Sequence, residues 1–195
     1  MAGKKGSLMF QDPISILMYQ GCQFIAERVV VHPNIITTLR LLIMIGLTIG
    51  VYHYKYPVVM AMLFQLCWFL DHLDGEMARQ HKLITEFGDT YDHIVDMVYA
   101  IPLLTIIIMR LYNKTGFVIL MMIGGILTYT GFALNACQEQ ELHDSKSQYA
   151  SNYLKSYNSF CPRNQRIKSS LRYFGLSVFM LYISMLIIYT SYPTK

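Results

Sequence analysis

The chain carries little charge for its length. Of its 195 residues only 14% are charged, whereas 54% are hydrophobic, and the mean hydropathy is +0.35. A globular domain has about 25% charged residues, so a soluble domain of this composition would leave too much apolar surface in water. High hydrophobicity with low charge also excludes intrinsic disorder. The composition therefore indicates an integral membrane protein.

Three further signals are missing. The four cysteines form no C-x-x-C pair and no zinc-binding spacing, and a Cys137–Cys161 disulfide is disfavoured because both residues fall on the side assigned below to the cytosol. No apolar run with a cleavage site follows the basic N-terminus, so a cleaved signal peptide is not expected. The net charge of +4 does not indicate nucleic-acid binding, since seven of the 12 carboxylates fall within 26 residues and this cluster lies inside the most apolar stretch.

Five windows are apolar and long enough to cross a bilayer, which takes about 20 residues. They are Ile35–Val51, Pro57–Leu70 (running on towards Ala78), Tyr91–Tyr112, Gly116–Ala136 and Leu171–Tyr192. Before them, Asp12–Arg28 begins with Asp12 as a predicted N-cap and Pro13 at the first helical position. This segment is too polar to span and fits an amphipathic helix in the membrane interface. The sequence predicts an all-α integral membrane protein, in which this interfacial helix precedes a bundle of about five transmembrane helices.

We expect a single membrane domain over residues 1–195. It comprises an interfacial helix at 12–28, motif-bearing helices at 33–136, a polar cytosolic loop with a short surface helix at 137–170, and a last span at 171–192. With the N-terminus inside, eleven lysines and arginines lie on the inner side and four on the outer side. This bias places the acidic residues at the cytosolic face of a multi-pass membrane protein.

Four aspartates have a spacing with geometric meaning. Asp71 and Asp74 are three residues apart, and Asp92 and Asp96 are four apart, so each pair shares one face of a helix. The short polar turn Gln80–Phe87 should bring the two helix ends together. The four carboxylates are then expected to converge just inside the cytosolic interface.

Converging carboxylates repel one another strongly in a medium of low dielectric. Only Arg79 and Lys82 are counted as nearby cations, so a solvated loop or a structural salt-bridge network is the weaker interpretation. Intramembrane carboxylates are costly and mark functional sites. Oxygen-rich clusters suit Mg²⁺ or Mn²⁺, and two such ions sharing carboxylates would clamp a phosphoryl group.

The pattern D-x-x-D-G-x-x-A-R-x8-G-x3-D-x3-D resembles the signature of the CDP-alcohol phosphotransferase family, whose members are integral-membrane enzymes that make phospholipids. Every fixed position is matched, by Asp71, Asp74, Gly75, Ala78, Arg79, Gly88, Asp92 and Asp96. Upstream, Pro33-Asn34-Ile-Ile-Thr37-Thr-Leu-Arg40 resembles the P-N-x-x-T-x-x-R opening of the family's first span. The resemblance covers about residues 10–136. Family members usually have six spans, against the five predicted here.

The resemblance implies roles for individual residues. Asp71, Asp74, Asp92 and Asp96 would bind two divalent ions, Mg²⁺ or Mn²⁺, and Asp96 would also take the proton from an acceptor hydroxyl that attacks the β-phosphorus of a CDP-alcohol and expels CMP. The implied nucleotide site comprises Asn34, Thr37, Gly75, Ala78, Arg79, Thr85 and Gly88. A phosphorylated acceptor or an anionic headgroup is a candidate ligand of Arg163, Arg166, Lys168 and Arg172, which otherwise anchor the last span.

Donor and acceptor stay open at this point. A phosphatidyl group from CDP-diacylglycerol could pass to inositol, serine, glycerol phosphate or inositol phosphate. Alternatively, diacylglycerol could take phosphocholine or phosphoethanolamine, a branch that the Asp92-His93 pair resembles. A divalent-cation transporter is the alternative of another class, although spans four and five carry no acid and no repeat is visible. The expected partners are the two substrates, the bilayer and a second copy in a homodimer, in an endomembrane (eukaryotic or viral) or a plasma membrane (bacterial).

Overall fold

The computed structural model describes residues 12–112, 114, 116–144, 161, 162, 164 and 175–192. Within these ranges all regular structure is α-helical, as the sequence predicts. The helices are α1 (Pro13–Ala26), α2 (Pro33–Tyr52), α3 (Pro57–Gln80), α4 (Glu86–Tyr112), α5 (Phe117–Asp144) and α6 (Leu176–Ser191). The predicted headgroup cluster of Arg163, Arg166, Lys168 and Arg172 lies outside the described residues.

Three of these helices, α2, α3 and α4, are long and apolar enough to cross a membrane. The apolar stretches of the other two candidate spans are shorter, Phe117–Gly131 in α5 and Leu176–Ser191 in α6. A helical membrane protein is thereby confirmed, while the number of five spans stays a prediction.

Two helices extend beyond their predicted windows. Helix α4 begins at Glu86 rather than Tyr91, where Glu86 and Asp89 complement the positive end of the helix dipole. Helix α5 continues through Asp144, into the segment predicted as a polar loop. Its last residues include Gln, Glu and Leu, which are good helix formers. Hydropathy marks where the apolar stretch ends, and the helix itself ends later.

Helix α1 begins as the sequence predicts. The Asp12 side chain caps it, since its Oδ1 accepts hydrogen bonds from the backbone amides of Ile14 and Ser15 at 3.1 and 2.9 Å, and Pro13 is the first helical residue. That this helix lies in the membrane interface stays a prediction.

The chain divides into two compact units, one formed by Met1–Leu17 with Val118–Met180 and the other by Met18–Phe117 with Leu181–Lys195. In the first unit a disulfide joins Cys137 and Cys161, whose Cα atoms are 4.8 Å apart. The prediction that these cysteines stay unpaired is therefore wrong. Pairing depends on how closely the fold brings two Cα atoms, which cysteine spacing does not reveal. In the second unit Cys22 is free and buried, and burial raises the pKa of its thiol to about 12, so it is not a nucleophile at neutral pH.

Within the second unit α2 is the central helix, since α3 and α4 both pack on it. At the end of α3 that carries the motif, a buried cluster joins three helices. Its members are Cys22 and Ala26 of α1, Ile36 of α2, and Leu73 and Met77 of α3. This cluster fixes the motif-bearing end of α3 against the first turns of α2.

Candidate active site

Arg40 of α2 is surrounded by the carboxylates of the motif. Its side chain is 0% exposed, and it forms ion pairs with Asp71 of α3 and with Asp92 and Asp96 of α4. Nη2 lies 2.6 Å from Asp92 Oδ1 and 3.0 Å from Asp96 Oδ1, while Nη1 pairs with Asp71 Oδ1. The aspartates therefore converge, as predicted, but they do so around a side chain of α2.

The prediction that only Arg79 and Lys82 could neutralise the acids is wrong. Arg40 lies far from the motif in sequence, and counting charges along the chain cannot reveal a partner from another helix. The opening P-N-x-x-T-x-x-R did contain a usable signal. An arginine inside a membrane span needs a buried counter-charge, and the motif offers the nearest set of carboxylates.

Asp74 is the most buried of the four aspartates, at 5% exposed. Its Oδ2 accepts a hydrogen bond of 2.7 Å from the hydroxyl of Thr37. Thr37 and Arg40 are three residues apart on α2, so they lie on one face of that helix. One face of α2 therefore orients carboxylates from both α3 and α4. The predicted role of Thr37 in the nucleotide site stays a prediction.

Three of the aspartates could hold a metal ion. Asp71, Asp74 and Asp92 each offer one carboxylate oxygen, and these three oxygens lie within 4.8 Å of one another. Oxygen donors at such spacing fit a hard divalent cation. Asp96 lies outside this group and accepts a 3.2 Å hydrogen bond from the Tyr99 hydroxyl. The four carboxylates thus separate into a group of three and one further side chain.

Two predicted nucleotide-site residues meet at Gly88. The backbone amide of Gly88 donates to Thr85 Oγ1 at 3.0 Å. A Cβ atom at Gly88 would lie 3.0 Å from Thr85 Oγ1 and 3.2 Å from Asn34 Oδ1. A larger side chain would therefore crowd the Asn34 amide and the Thr85 hydroxyl, which explains a glycine at this position.

A second set surrounds Arg79. The Arg79 guanidinium passes over Gly75, where a Cβ atom would lie 3.1 Å from Nη1. Its Nε and Nη2 both donate to Glu76 Oε2 at 3.3 Å. Glu76 was not predicted as a site residue, but it is buried and it fixes Arg79 in place. Ala78 is half-buried on the same helix.

His93, which follows Asp92 in the motif, is hydrogen-bonded to its own helix. Its Nδ1 lies 2.8 Å from the backbone oxygen of Asp89 and 3.8 Å from Asp89 Oδ1. His72 also contacts its own helix, with Nδ1 3.1 Å from the Trp68 carbonyl oxygen and 3.9 Å from Asp71 Oδ2. Both rings lie beside the motif. Among the four motif aspartates, Asp96 is the one that pairs with Arg40 and lies outside the group of three.

Comparison with known protein families identifies the family of the chain. The family model of the CDP-alcohol phosphatidyltransferases matches residues 30–194. The chain belongs to this family. No curated protein and no solved structure matches the chain.

Family membership confirms the enzyme class predicted from the sequence. CDP-alcohol phosphatidyltransferases transfer substituted phosphate groups in phospholipid biosynthesis, which decides against the alternative of a cation transporter. The match also continues well beyond residue 136, where the resemblance was expected to weaken. The C-terminal part of this CDP-alcohol phosphatidyltransferase therefore belongs to the family domain, and α1 precedes the matched range.

Thr37→Val tests whether α2 orients the acids. The substitution keeps the shape of the side chain but leaves the buried Asp74 carboxylate without its hydroxyl donor. An unsatisfied buried polar group costs about 1–3 kcal/mol, so the thermal midpoint of the protein in detergent should fall.

Thr38→Val is the matched control. Thr38 is exposed, and its hydroxyl contacts the Asn34 carbonyl and Tyr91, so its loss should change stability by less than about 0.5 kcal/mol. Equal losses in the two variants would contradict an orienting role for Thr37.

Proposed function

We propose that this enzyme transfers a phosphatidyl group from CDP-diacylglycerol to the hydroxyl of a small alcohol and releases CMP. The family supports transfer from a CDP-alcohol. The observation that carries the site assignment is the convergence of Asp71, Asp74, Asp92 and Asp96 around Arg40. Phosphoryl transfer depends mainly on positioning and on neutralising charge, and an oxygen-rich cluster at one end of membrane-spanning helices suits both tasks.

The group of three aspartates is the proposed metal site, with Asp96 as an additional ligand. The oxygens of Asp71, Asp74 and Asp92 are close enough to share ions, and we propose two Mg²⁺ or Mn²⁺ ions. When bound, such ions would neutralise the pyrophosphate of the donor and make its phosphorus more electrophilic.

Asp96 is the proposed proton acceptor. Its side chain is 44% exposed, more than the 33% and 32% of Asp71 and Asp92, so it is open to an incoming hydroxyl. The acceptor oxygen forms a bond to the β-phosphorus as Asp96 takes its proton. The bond from that phosphorus to the bridging oxygen breaks, and CMP leaves with that oxygen.

The proposed nucleotide site comprises the two groups of residues around Gly88 and around Arg79. Asn34, Thr85 and Gly88 form one, and Gly75, Arg79 and Ala78 form the other. Arg79 offers a forked cation suited to phosphate, and its contact with Glu76 keeps the fork oriented. The glycines let the side chains of Arg79, Asn34 and Thr85 approach the helix backbone closely.

A choline or ethanolamine phosphotransferase acting on diacylglycerol is the second candidate. Its support is the Asp92-His93 pair, and the His93 side chain is 51% exposed, which leaves it accessible to a substrate. The same assay separates the two candidates by donor.

The function is tested by CMP release from the purified protein. We expect CMP release with CDP-diacylglycerol, Mg²⁺ or Mn²⁺ and one acceptor from a panel of inositol, serine, glycerol phosphate and inositol phosphate. Exhaustive chelation should abolish it. Release with CDP-choline and diacylglycerol alone would favour the second candidate, and full activity after chelation would refute the metal site.

Asp96→Asn tests the proposed base. The amide keeps the size of the side chain but is not basic, so turnover should fall by about 10²-fold or more while CDP-diacylglycerol still binds. Asp89→Asn is the matched control, since Asp89 is an exposed acid of the same helix outside the cluster, and it should keep near wild-type turnover. Turnover of Asp96→Asn at the wild-type rate would exclude Asp96 as the base.

We further propose that the site opens at the cytosolic face. The support is the excess of lysine and arginine on the inner side. Lys82 and Lys55 are exposed residues at opposite ends of α3. In sealed vesicles of known orientation, a membrane-impermeant maleimide should label Lys82→Cys from the cytosolic side and Lys55→Cys from the other. Labelling of both from one side would refute the assignment.

A further inference from the structure

Arg40 has no part in the transfer step proposed above, yet it is the most completely buried charge of the site. It is 0% exposed and lies on a helix long and apolar enough to span the bilayer. A charge in this environment is tolerated only when it is paired. Its place between three carboxylates therefore needs an explanation of its own.

The aspartates form the ion pairs of the guanidinium, and its Cζ atom also lies 6.0 Å from the centre of the Tyr99 ring. Both of its terminal nitrogens pair with the cluster, and among the described residues its Nε has no hydrogen-bond partner. In the same part of the chain, no other lysine or arginine forms an ion pair with Asp71, Asp92 or Asp96. Among the described residues, the carboxylates of the cluster are thus the ion-pair partners of Arg40.

Two of the carboxylates that Arg40 binds belong to the group that could hold a metal ion. Arg40 pairs with Oδ1 of Asp71 and Oδ1 of Asp92, and both aspartates belong to the group of three that could hold an ion. Four carboxylates and one guanidinium leave a formal charge of −3, so the cluster still attracts cations. A divalent ion and the guanidinium would therefore bind to the same two carboxylates.

We propose that Arg40 is the built-in counter-ion of the aspartate cluster and competes with divalent cations for Asp71, Asp92 and Asp96. This inference rests on the proposed metal site. The guanidinium keeps Asp71, Asp92 and Asp96 together while no metal is bound. It weakens metal binding because the ion must share carboxylates with it and lie near its positive charge. Arg40 is accordingly a positioning residue, whose effect is measured by metal affinity and by metal-free stability.

The test compares wild type with Arg40→Gln as full chains in detergent. Thermal midpoints are measured in chelator and in saturating Mn²⁺, and Mn²⁺ affinity is measured by calorimetry. Without metal, the variant's midpoint should fall by about 5 °C or more, because four acids lose their cation. Mn²⁺ should restore most of this loss. The Kd for Mn²⁺ should decrease about tenfold, since metal binding and metal-free stability are linked.

Arg110→Gln is the matched control. Arg110 is also an arginine of a spanning helix, but its Nη2 donates to the Tyr52 carbonyl at 2.8 Å and its guanidinium stacks 3.5 Å from the centre of the Tyr54 ring. Its loss should lower the midpoint equally with and without Mn²⁺ and leave the Kd unchanged. Arg40→Lys keeps the charge but not the fork, and its Kd should lie between those of wild type and Arg40→Gln.

Each outcome decides between the proposals. If Arg40→Gln is recovered only in Mn²⁺ and unfolds on chelation while wild type stays folded, the counter-ion role is supported. If wild type binds Mn²⁺ and Arg40→Gln binds it no more tightly, competition is refuted and the metal site stands. If wild type binds no Mn²⁺, the metal site itself is refuted, and competition with it.

Discussion

The ion pairs between Arg40 and three aspartates are the constraint on which the motif-bearing helices depend. A guanidinium with no exposed surface in a membrane-spanning helix must meet its carboxylates at its own depth. Asp71 is supplied by α3, and Asp92 and Asp96 by α4. Because one residue of register turns a helix by about 100°, both helices are fixed in rotation against α2. The candidate active site and the rotation of these helices therefore depend on the same ion pairs.

Apolar packing supports this arrangement from the motif-bearing end. Cys22 and Ala26 of α1 pack with Leu73 and Met77 of α3, and Leu73 and Met77 flank Asp74 and Glu76 in the sequence. The end of α3 therefore presents apolar side chains to α1 and carboxylates to α2 and Arg79. The two buried acids at this end of α3 are tolerated because each has a hydrogen-bond donor, Thr37 for Asp74 and Arg79 for Glu76.

Much of the fold and the aspartate cluster followed from the sequence, because helical periodicity and the cost of intramembrane charge are local properties. The spacing of the aspartates was enough to predict that they converge. Properties that depend on other helices were not predicted. Arg40 lies 31 residues before Asp71, the disulfide of Cys137 and Cys161 depends on a tertiary approach, and the end of α5 is set by helix propensity after hydropathy has fallen.

The unequal surroundings of the four carboxylates explain how one motif can serve several tasks. Asp74 is buried and bound to Thr37, so its orientation is fixed, as a metal ligand requires. Asp96 follows Asp92 by one helical turn, which carries it about 6 Å further along α4, away from the turn that joins α3 and α4. There it is bound to Tyr99 and is the most exposed of the three acids paired with Arg40. In the proposed mechanism, an acid at that depth meets a hydroxyl arriving beside the helices while the other three acids neutralise charge. The spacing of four residues would then place the proton acceptor one turn beyond Asp92 on the same helix.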